Sequence, residues 1–353
     1  MHDHRQFGAR TLRRVVEEGR APRRWRGLLL RIGGSIVLLA VLIAKAPDFD
    51  TDELVPDWTA STGWWLAGAA ALTLGSIVLS SMRWQSVLNV LGVPSHLGRL
   101  VNHYLACQFV SNVLPTTIGG DVLRVSRLSK ESGASPAAFA SVVLERMTGW
   151  VVLPLLTYAG FVVNPGLIEE DSASVIALTL ATATLVVLVV VLVLVSSPRF
   201  GGRFAEADGW RRFAGAVHLG LDQLRRRPAA AVNVLAVGVL YQLVLVAAAL
   251  FAAKAVGMGV EVGPTAVLAF FPAVLIAQVL PVGISGLGIR EGAFVLFLGP
   301  LGVPDEQAVA LGLLLYLLNL GVSLLGAPAF ALGGHGRRGG RATPPTPSVP
   351  AAA

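Results

Sequence analysis

Two apolar segments of this chain are interrupted by the same residue pattern, and this interruption constrains the fold more than any other feature. The pattern V-L-P-x-x-I-x-G-x-x-x-R begins at Val113 and again at Val279, 166 residues later. Each copy runs from apolar residues through a proline and glycines into an arginine, Arg124 in the first copy and Arg290 in the second. Because proline and glycine interrupt helices, each segment is predicted to form two short legs. The repetition predicts a chain built from two related halves.

The overall composition places these interrupted segments in a membrane. The 353 residues are 54% hydrophobic and only 14% charged, with a mean hydropathy of +0.69, which is outside the range of soluble domains. The fold class predicted is an all-α polytopic membrane protein. The sequence pI near 10.3 could indicate a nucleic-acid partner. However, the positive residues are divided among loops, which fits membrane topology and argues against nucleic acid.

Six apolar stretches are long enough to cross a hydrocarbon core of about 30 Å at about 1.5 Å per residue. They are residues 28–44, 63–91, 136–163, 173–195, 229–253 and 308–332. Two further apolar regions, 97–130 and 264–302, contain the interrupted motifs. The basic segment 1–27 is predicted to be cytoplasmic, and the Gly-, Arg- and Pro-rich tail 333–353 is predicted to be disordered.

Loop charges predict how these regions are inserted. Acidic residues mark 45–62, 164–172 and 303–307 as external, whereas arginines mark 196–228 and the tail as cytoplasmic. By parity, 97–130 enters and returns on the cytoplasmic side, and 264–302 does so on the external side. The prediction is therefore an inverted repeat of helix, helix, re-entrant hairpin and helix, with six full spans and two hairpins. An alternative for 264–302 is a pair of short full spans, which raises the number of spans to eight or more.

The repeats are predicted at about 28–163 and 173–332, within a bacterial inner membrane and with both termini cytoplasmic. The basic loop 196–228 contains apolar residues at helical spacing, namely Trp210, Phe213, Val217, Leu221 and Leu224. This spacing predicts an amphipathic helix. It either lies on the inner leaflet or packs on the protein without a lipid role.

A backbone break inside the membrane needs compensation, because unpaired N–H and C=O groups cost several kcal/mol each in hydrocarbon. The glycines that follow each proline expose amides near a helix N-terminus, which favours an anion. Arg124 and Arg290 lie one turn further, and the guanidinium geometry suits phosphate. The alternative is that both arginines extend to the headgroup region. The candidate lipid-phosphate ligands are Arg124, Arg290, Asp121, Gly119, Gly120, Gly286 and Gly288.

The other polar residues near the breaks have simpler predicted roles. Pro115 and Pro281 end the first legs, while Asn112 and Gln278 satisfy freed backbone groups, and Asp121 alternatively caps its helix. The neighbouring charges Glu145 with Arg146 and Arg290 with Glu291 are predicted to form internal ion pairs. Arg83 with Trp84 is predicted to be an interfacial anchor. The chain has no nucleotide, zinc-protease or nucleophile-elbow motif, so neither a cofactor nor a metal is expected.

Three stretches of the chain resemble a known family. N-V-L-P-T-T-I-G-G-D-V-L-R from Asn112, V-V-L-E-R-M-T-G from Val142 and L-P-V-G-I-S-G-L-G-I-R-E-G from Leu280 are similar to the transmembrane domain of lysylphosphatidylglycerol synthases and related stand-alone flippase-like proteins. The resemblance covers roughly 28–332. It implies movement of an anionic or aminoacylated phospholipid between leaflets. Because no soluble aminoacyl-tRNA-using domain follows, lipid aminoacylation is not expected.

Three functional hypotheses follow from these observations. The first is a lipid translocator in which Arg124 and Arg290 hold a lipid phosphate. The second is an integral-membrane transferase acting on a lipid-linked donor, with the acidic residues between Asp48 and Asp57 as base or metal ligands. The third is a non-catalytic subunit with a separate enzyme as its partner. A homo-oligomer is compatible with each of them.

Overall fold

The computed structural model describes residues 59–113, 119–168, 172–196, 210–279 and 286–332. Within these ranges the chain is helical and forms no strand. In chain order the helices are α1 (Ala60–Val90), α2 (Leu97–Val113), α3 (Gly119–Ser132), α4 (Ser135–Val163), α5 (Ser172–Ser196), α6 (Trp210–Arg226), α7 (Pro228–Ala255), α8 (Pro264–Ala277), α9 (Ile289–Leu298), α10 (Asp305–Leu324) and α11 (Gly326–Leu332). Short 3-10 turns follow α4 at Pro165–Ile168 and α9 at Gly299–Leu301.

Five of these helices, α1, α4, α5, α7 and α10, are long and apolar enough to cross a membrane. The chain is therefore a multi-pass membrane protein, as the composition predicted. The predicted span 28–44, the basic segment 1–27, the tail 333–353 and the two break prolines, Pro115 and Pro281, lie outside the described residues. The acidic residues between Asp48 and Asp57 also lie outside them.

Local sequence explains where several helices begin and end. Thr59 caps α1, because its side chain accepts a hydrogen bond from the Thr62 amide while the Thr62 side chain accepts one from the Thr59 amide. The span predicted at 308–332 is present but shorter, since α10 ends at Leu324 and α11 starts at Gly326. Pro328 explains this break, because it has no N–H for the Leu324 carbonyl, and its ring clashes with the carbonyl four residues back.

Each interrupted motif separates two short helical legs, as predicted. The legs α2 and α3 contain 17 and 14 residues, and α8 and α9 contain 14 and 10. At about 1.5 Å per residue, each leg is shorter than a hydrocarbon core of roughly 30 Å. The second legs begin at Gly119 and Ile289, at the glycines that follow each proline in the sequence.

The offset of 166 residues that aligns the two motifs also aligns the helices around them. It carries α1 onto α7, α2 onto α8, α3 onto α9 and α4 onto α10. The contacts between helices follow this alignment. Helix α1 packs on its counterpart α7, α4 packs on α8, and α10, the counterpart of α4, packs on α2, the counterpart of α8. This is the packing pattern expected of two halves related by a twofold axis.

A pair of glycines lies at close contacts between the two halves. Gly160 and Gly326 are 166 residues apart, and each lies against the first hairpin leg of the other half. A Cβ on Gly160 would lie 2.5 Å from the Ala269 backbone, and one on Gly326 would meet the Leu105 carbonyl. Because these contacts involve backbone atoms, neither site has room for a larger residue without displacement of a helix.

Aromatic rings connect the two legs of the second half, α8 and α9, within its apolar core. Phe270 packs edge to face on Phe161 and stacks on Phe297, while Phe271 stacks on Phe294. In the first half, a smaller core around Trp84, Leu88, Leu100, Leu128 and Ala138 holds α3 against α1, α2 and α4. These two cores fix the hairpin legs that carry the candidate site residues.

The predicted amphipathic helix in the basic loop is confirmed as α6, Trp210–Arg226. It packs against the bundle, because Leu224 joins a cluster with Val87, Leu144 and Val234. Gly220 lies directly against the Leu144 side chain. The packing alternative is therefore supported by contacts, while lipid contact by α6 stays a prediction.

Candidate functional site

A buried carboxylate on α4 organises the charged residues of the first half. Glu145, 1% exposed, accepts a hydrogen bond from Arg83 Nη2 at Oε1 and pairs with Arg124 Nη2 at Oε2 over 2.9 Å. The same Arg124 nitrogen donates to Asp121 Oδ1 at 3.0 Å. Asp121 Oδ2 in turn accepts from Arg146 Nε at 2.6 Å. These five residues form the first ionic cluster, with three positive and two negative charges.

Aromatic rings complete the surroundings of the two buried arginines. The Arg124 guanidinium lies 4.9 Å from the ring centroid of Trp84 and 4.8 Å from that of Tyr104, and the Arg83 guanidinium lies 4.8 Å from that of Tyr241. Nε and Nη1 of both arginines donate no hydrogen bond among the described residues. The π faces therefore supply the attraction that hydrogen-bond acceptors would otherwise provide.

The position of Arg83 contradicts one prediction from the sequence. It was expected to anchor α1 at the membrane interface, but it is 4% exposed and paired with Glu145. Glu145 and Arg146 do form ion pairs, although not with each other, since Glu145 pairs with Arg83 and Arg124 and Arg146 pairs with Asp121. Successive residues on a helix point in different directions, so partners three residues away or on another helix are better placed.

Arg124, which the sequence predicts as a phosphate ligand, is held by its ion pairs with Asp121 and Glu145. It is 1% exposed, and its charge faces Asp121 and Glu145. Because the side chain is buried, a phosphate can reach this guanidinium only if the residues packed around it move apart.

The second ionic cluster consists of neighbouring residues at the start of α9. Arg290 donates to Glu291 Oε1 from Nε at 3.2 Å and from Nη2 at 2.8 Å, so the pair predicted here does form. Glu291 Oε2 accepts from the Gly288 amide at 2.6 Å. Gly312 on α10 leaves space for the Glu291 carboxylate, because a Cβ there would lie 2.8 Å from Glu291 Cγ. Arg290 also faces the Tyr316 ring at 5.7 Å.

The motif glycines have specific structural roles. Gly286 and Gly288 have φ angles of 79° and 86°, which residues with a side chain rarely adopt. A Cβ on Gly286 would also collide with Gln278. Gly120 allows α3 to approach the Cys107 carbonyl on α2. The Gly288 amide, expected to bind an anion, already donates to Glu291, and Gly119 begins α3.

A polar cavity of about 220 Å³ lies between the two halves. From the first half it is lined by Thr73 and Ser76 on α1 and by Gln108 and Asn112 on α2; from the second half by Tyr241, Leu245, Ala248, Phe271, Leu275, Gln278, Arg290, Leu315, Tyr316 and Asn319. Its described wall contains one cation, Arg290, and no carboxylate. Within the part of the chain that the structure describes, Gln278 Oε1 is buried without a hydrogen-bond partner.

Asn112 and Gln278 therefore meet in this cavity, although they come from different halves. The sequence predicted that they satisfy freed backbone groups beside the two breaks. The structure places both on the cavity wall with Arg290. The buried Gln278 oxygen is expected to contact water or a polar ligand, because an unpaired polar atom in an apolar bundle is costly.

Polar residues connect this cavity with the first ionic cluster. Tyr104, Gln108 and Asn112 are spaced four residues apart, so they share one face of α2. On α1, Ser80 Oγ donates to the Tyr104 hydroxyl at 2.7 Å and lies 3.5 Å from Glu145 Oε1. The polar path on α1 extends from Thr73 to Arg83, which corresponds to about 15 Å of helix.

Several of these residues were missed in the sequence analysis, among them Thr73, Ser76, Gln108, Tyr241, Tyr316 and Asn319. The four-residue spacing of Tyr104, Gln108 and Asn112 on one face of α2 is a local signal for them. The contributions of α7 and α10 had no comparable signal, because they depend on how the halves pack.

A second, larger cavity of about 790 Å³ lies between α3, α4 and α5. Its wall is mainly apolar, with Phe139, Val142, Met147, Trp150 and Leu188 among its residues, and Asp121 and Arg146 lie on one side. The Arg146 side chain is 54% exposed. Among the described residues, no group of three His, Cys, Asp or Glu side chains is placed to hold a metal ion.

A comparison with models of protein families finds one family that matches most of the chain. The family model described as lysylphosphatidylglycerol synthase TM region matches residues 28–326. This range includes both interrupted motifs, both ionic clusters and the polar cavity. No individual curated protein gives a significant match. The match covers most of the 353 residues, and the chain therefore belongs to the lysylphosphatidylglycerol synthase transmembrane-region family.

Proposed function

We propose that this protein moves a phosphate-bearing lipid between the leaflets of a bacterial inner membrane. The observation that carries this proposal is the polar cavity between the two halves, with its buried arginine and no carboxylate on the described wall. A lipid phosphate is the membrane component that matches a buried guanidinium at a polar cavity in an apolar bundle. The family name, which refers to a synthase of an aminoacylated phospholipid, supports a phospholipid substrate.

In this proposal the headgroup occupies the polar cavity while the acyl chains remain in apolar surroundings. Arg290 binds the phosphate, and the amides of Asn112 and Gln278 bind the other polar atoms. The cavity of about 220 Å³ is below the roughly 300 to 1,000 Å³ of pockets that enclose a drug-sized ligand. It therefore suits a headgroup and excludes a whole lipid. The larger cavity beside Arg146 offers an apolar surface for an acyl chain.

The two motif arginines suggest how access alternates. Arg290 faces the cavity, whereas Arg124 is closed off by Asp121 and Glu145. If the halves form an inverted repeat of re-entrant hairpins, exchange of their conformations exposes Arg124 and closes the cavity at Arg290. The headgroup then passes along the polar path between the two sites. Outward movement of one negative charge is favoured by about 2.3 kcal/mol per 100 mV with the inside negative, so ATP is not needed.

The test is lipid movement in proteoliposomes that contain a trace of fluorescent phosphatidylglycerol, with dithionite added to quench the outer leaflet. The wild-type protein should accelerate loss of the inner-leaflet signal. Arg290→Ala should slow this loss at least about tenfold, because one charge-assisted phosphate contact contributes about 1.5 to 3 kcal/mol. Arg290→Lys should retain part of the rate, since the charge remains and the bidentate geometry is lost.

Loss of Arg290 leaves Glu291 buried without its partner, so a second variant is required. Arg290→Met with Glu291→Gln removes both charges, and it should fold while remaining slow in lipid movement. Arg226→Ala, an arginine in an exposed ion pair on α6, is the matched control. If Arg124→Ala and the folded Arg290 variants all move lipid at the wild-type rate, the site is wrong. The transferase and partner-subunit hypotheses remain for the case in which the wild-type protein moves no lipid.

A further inference from the structure

The first ionic cluster has more positive than negative charges. Its three arginines share two carboxylates, namely Arg83, Arg124 and Arg146 with Asp121 and Glu145. Arg124 contacts both carboxylates, whereas each of the other two arginines contacts one. Among the described residues, the ion pairs of these arginines involve no other carboxylate. One additional anion would therefore give each arginine a partner of its own.

Arg146 is the member of the cluster that an incoming ligand can reach. Its side chain is half-exposed, whereas Arg83 and Arg124 are buried. It lies on the wall of the larger cavity, which is otherwise mainly apolar, about 16 Å along α4 from the start of the helix. An arginine in such surroundings within a membrane is costly unless an anion or water reaches it. The cavity therefore suits an amphiphile whose anionic group binds Arg146 while its apolar chain covers the wall.

Asp121 connects this exposed arginine with a buried one. Its Oδ2 accepts a hydrogen bond from Arg146 Nε at 2.6 Å, and its Oδ1 accepts one from Arg124 Nη2 at 3.0 Å. Asp121 and Arg124 belong to α3, while Arg146 belongs to α4. An anion that binds Arg146 takes the place of Asp121 and repels its carboxylate. Binding of the anion therefore weakens the contact between α3 and α4 at this point.

Once the anion is bound, separation of α3 from α4 leaves none of the five charges of the cluster without a partner. Arg124 keeps Asp121, three residues away on its own helix, and Glu145 keeps Arg83 on α1. The third pair is Arg146 with the anion. Without the anion, the same movement would leave Arg146 beside an apolar wall with no negative partner. Opening of this contact is therefore coupled to the arrival of an anion.

Resting on the proposed function, we propose that the larger cavity is the entry site of the lipid, and that the lipid phosphate opens the contact between α3 and α4 by displacing Asp121 from Arg146. Arg146 is the first residue to bind the phosphate. Asp121 is a positioning residue, because it moves with α3 and keeps Arg124 compensated when Arg124 leaves Glu145. An acyl chain lies along the apolar wall of the cavity.

The experiment measures how the initial rate of lipid movement depends on the mole fraction of fluorescent phosphatidylglycerol in phosphatidylcholine proteoliposomes. Dithionite quenching gives each rate, and the dependence gives a maximal rate and a half-saturating fraction. Arg146→Gln should raise the half-saturating fraction at least about tenfold, because one charge-assisted phosphate contact is lost. Arg146→Lys should raise it less, since the positive charge remains.

Asp121→Asn separates the two roles. It frees Arg146 for the phosphate, so the half-saturating fraction should fall at least about tenfold, the factor expected for removal of a like charge within about 10 Å at an effective dielectric constant of about 20. The maximal rate should also fall, because Arg124 has lost the partner that moves with it. Loss of structure in both variants would not shift the half-saturating fraction in opposite directions.

Two further measurements make this comparison specific. Arg226→Gln and Asp222→Asn alter an exposed arginine–aspartate pair on α6, so these matched controls should change neither quantity. Arg146→Gln with Asp121→Asn removes both charges and replaces Arg146→Gln if that variant is misfolded in size-exclusion chromatography. The double variant should need a fraction at least about tenfold higher than Asp121→Asn alone, because the phosphate contact is missing.

The outcomes separate this inference from the proposed function. Absence of lipid movement by the wild-type protein overturns the proposed function itself. If the wild-type protein moves lipid, but Arg146→Gln leaves the half-saturating fraction unchanged or Asp121→Asn raises it, the entry site is wrong and lipid movement stands. Inhibition by glycerol phosphate in the buffer as strong as that by unlabelled phosphatidylglycerol would assign the larger cavity to a soluble phosphate ester and also overturn the entry site.

Discussion

Replacement of Glu145 by glutamine tests the first ionic cluster directly. The amide has nearly the same size as the carboxylate, so the change removes a charge without creating a cavity. Among the described residues, Glu145 is the carboxylate that pairs with Arg83, which is 4% exposed. Arg124 keeps Asp121 and its two aromatic neighbours. The variant therefore leaves one buried guanidinium without a negative partner.

The expected loss of stability follows from this one unpaired guanidinium. Removal of one partner of a buried ion pair costs about 3 to 5 kcal/mol, and the lower end applies because Arg124 stays compensated. At about 2 to 4 °C per kcal/mol, the apparent melting temperature in detergent should fall by roughly 6 to 12 °C. Circular dichroism at the helical minimum measures this fall during heating of the purified protein.

Two further variants make the result specific. Arg83→Met with Glu145→Gln removes both charges and should recover most of the lost stability, since well-packed apolar replacements of buried pairs are often neutral. Asp222→Asn breaks the exposed pair with Arg226 on α6 and should change the free energy of unfolding by less than about 1 kcal/mol. If Glu145→Gln is no more harmful than Asp222→Asn, or if the double variant is as unstable as the single one, the reasoning is refuted.

Two other predictions concern glycines at close contacts. Gly160→Leu and Gly326→Leu should each lower the melting temperature by a similar amount, because each new side chain would meet the backbone of the other half's first leg. Gly63→Leu, at an open position of α1, should leave the melting temperature unchanged. A large difference between the first two would contradict the twofold relation. Gly312→Val should displace the Glu291 carboxylate and destabilise the protein by more than about 1 kcal/mol in thermal unfolding, whereas Gly321→Val on the same helix, with open space around it, provides the control. Equal stability of these two variants would show that the Glu291 side chain can adopt another conformation at no cost in stability.

The helices were predictable because their signals are local. Length and apolar composition identified α1, α4, α5 and α7 to within a few residues, and the proline and glycine pattern identified both pairs of short legs. The end of α10 also has a local signal, because Pro328 lies four residues after Leu324 and has no N–H for its carbonyl.

The site was less predictable because it depends on which helix faces meet. Arg83 looks like an interfacial residue in sequence, and only the packing of α1 against α4 brings it to Glu145. The polar cavity combines residues from α1, α2, α7, α8, α9 and α10. None of these contacts follows from spacing along one helix, although the motif did identify Asn112, Gln278 and Arg290 individually.

The two motif arginines hold equivalent positions in sequence, but their carboxylates come from different places. Arg124 pairs with Glu145 on the next helix, whereas Arg290 pairs with Glu291 on its own helix. The same offset of 166 residues carries Arg146, the neighbour of Glu145, onto Gly312, where the missing side chain leaves space for Glu291. Consequently Arg290 can face the cavity with its partner in place, while exposure of Arg124 requires α3 to separate from α4. If the halves alternate during transport, we expect the contact between α3 and α4 to open and close, and α9 to move together with its ion pair.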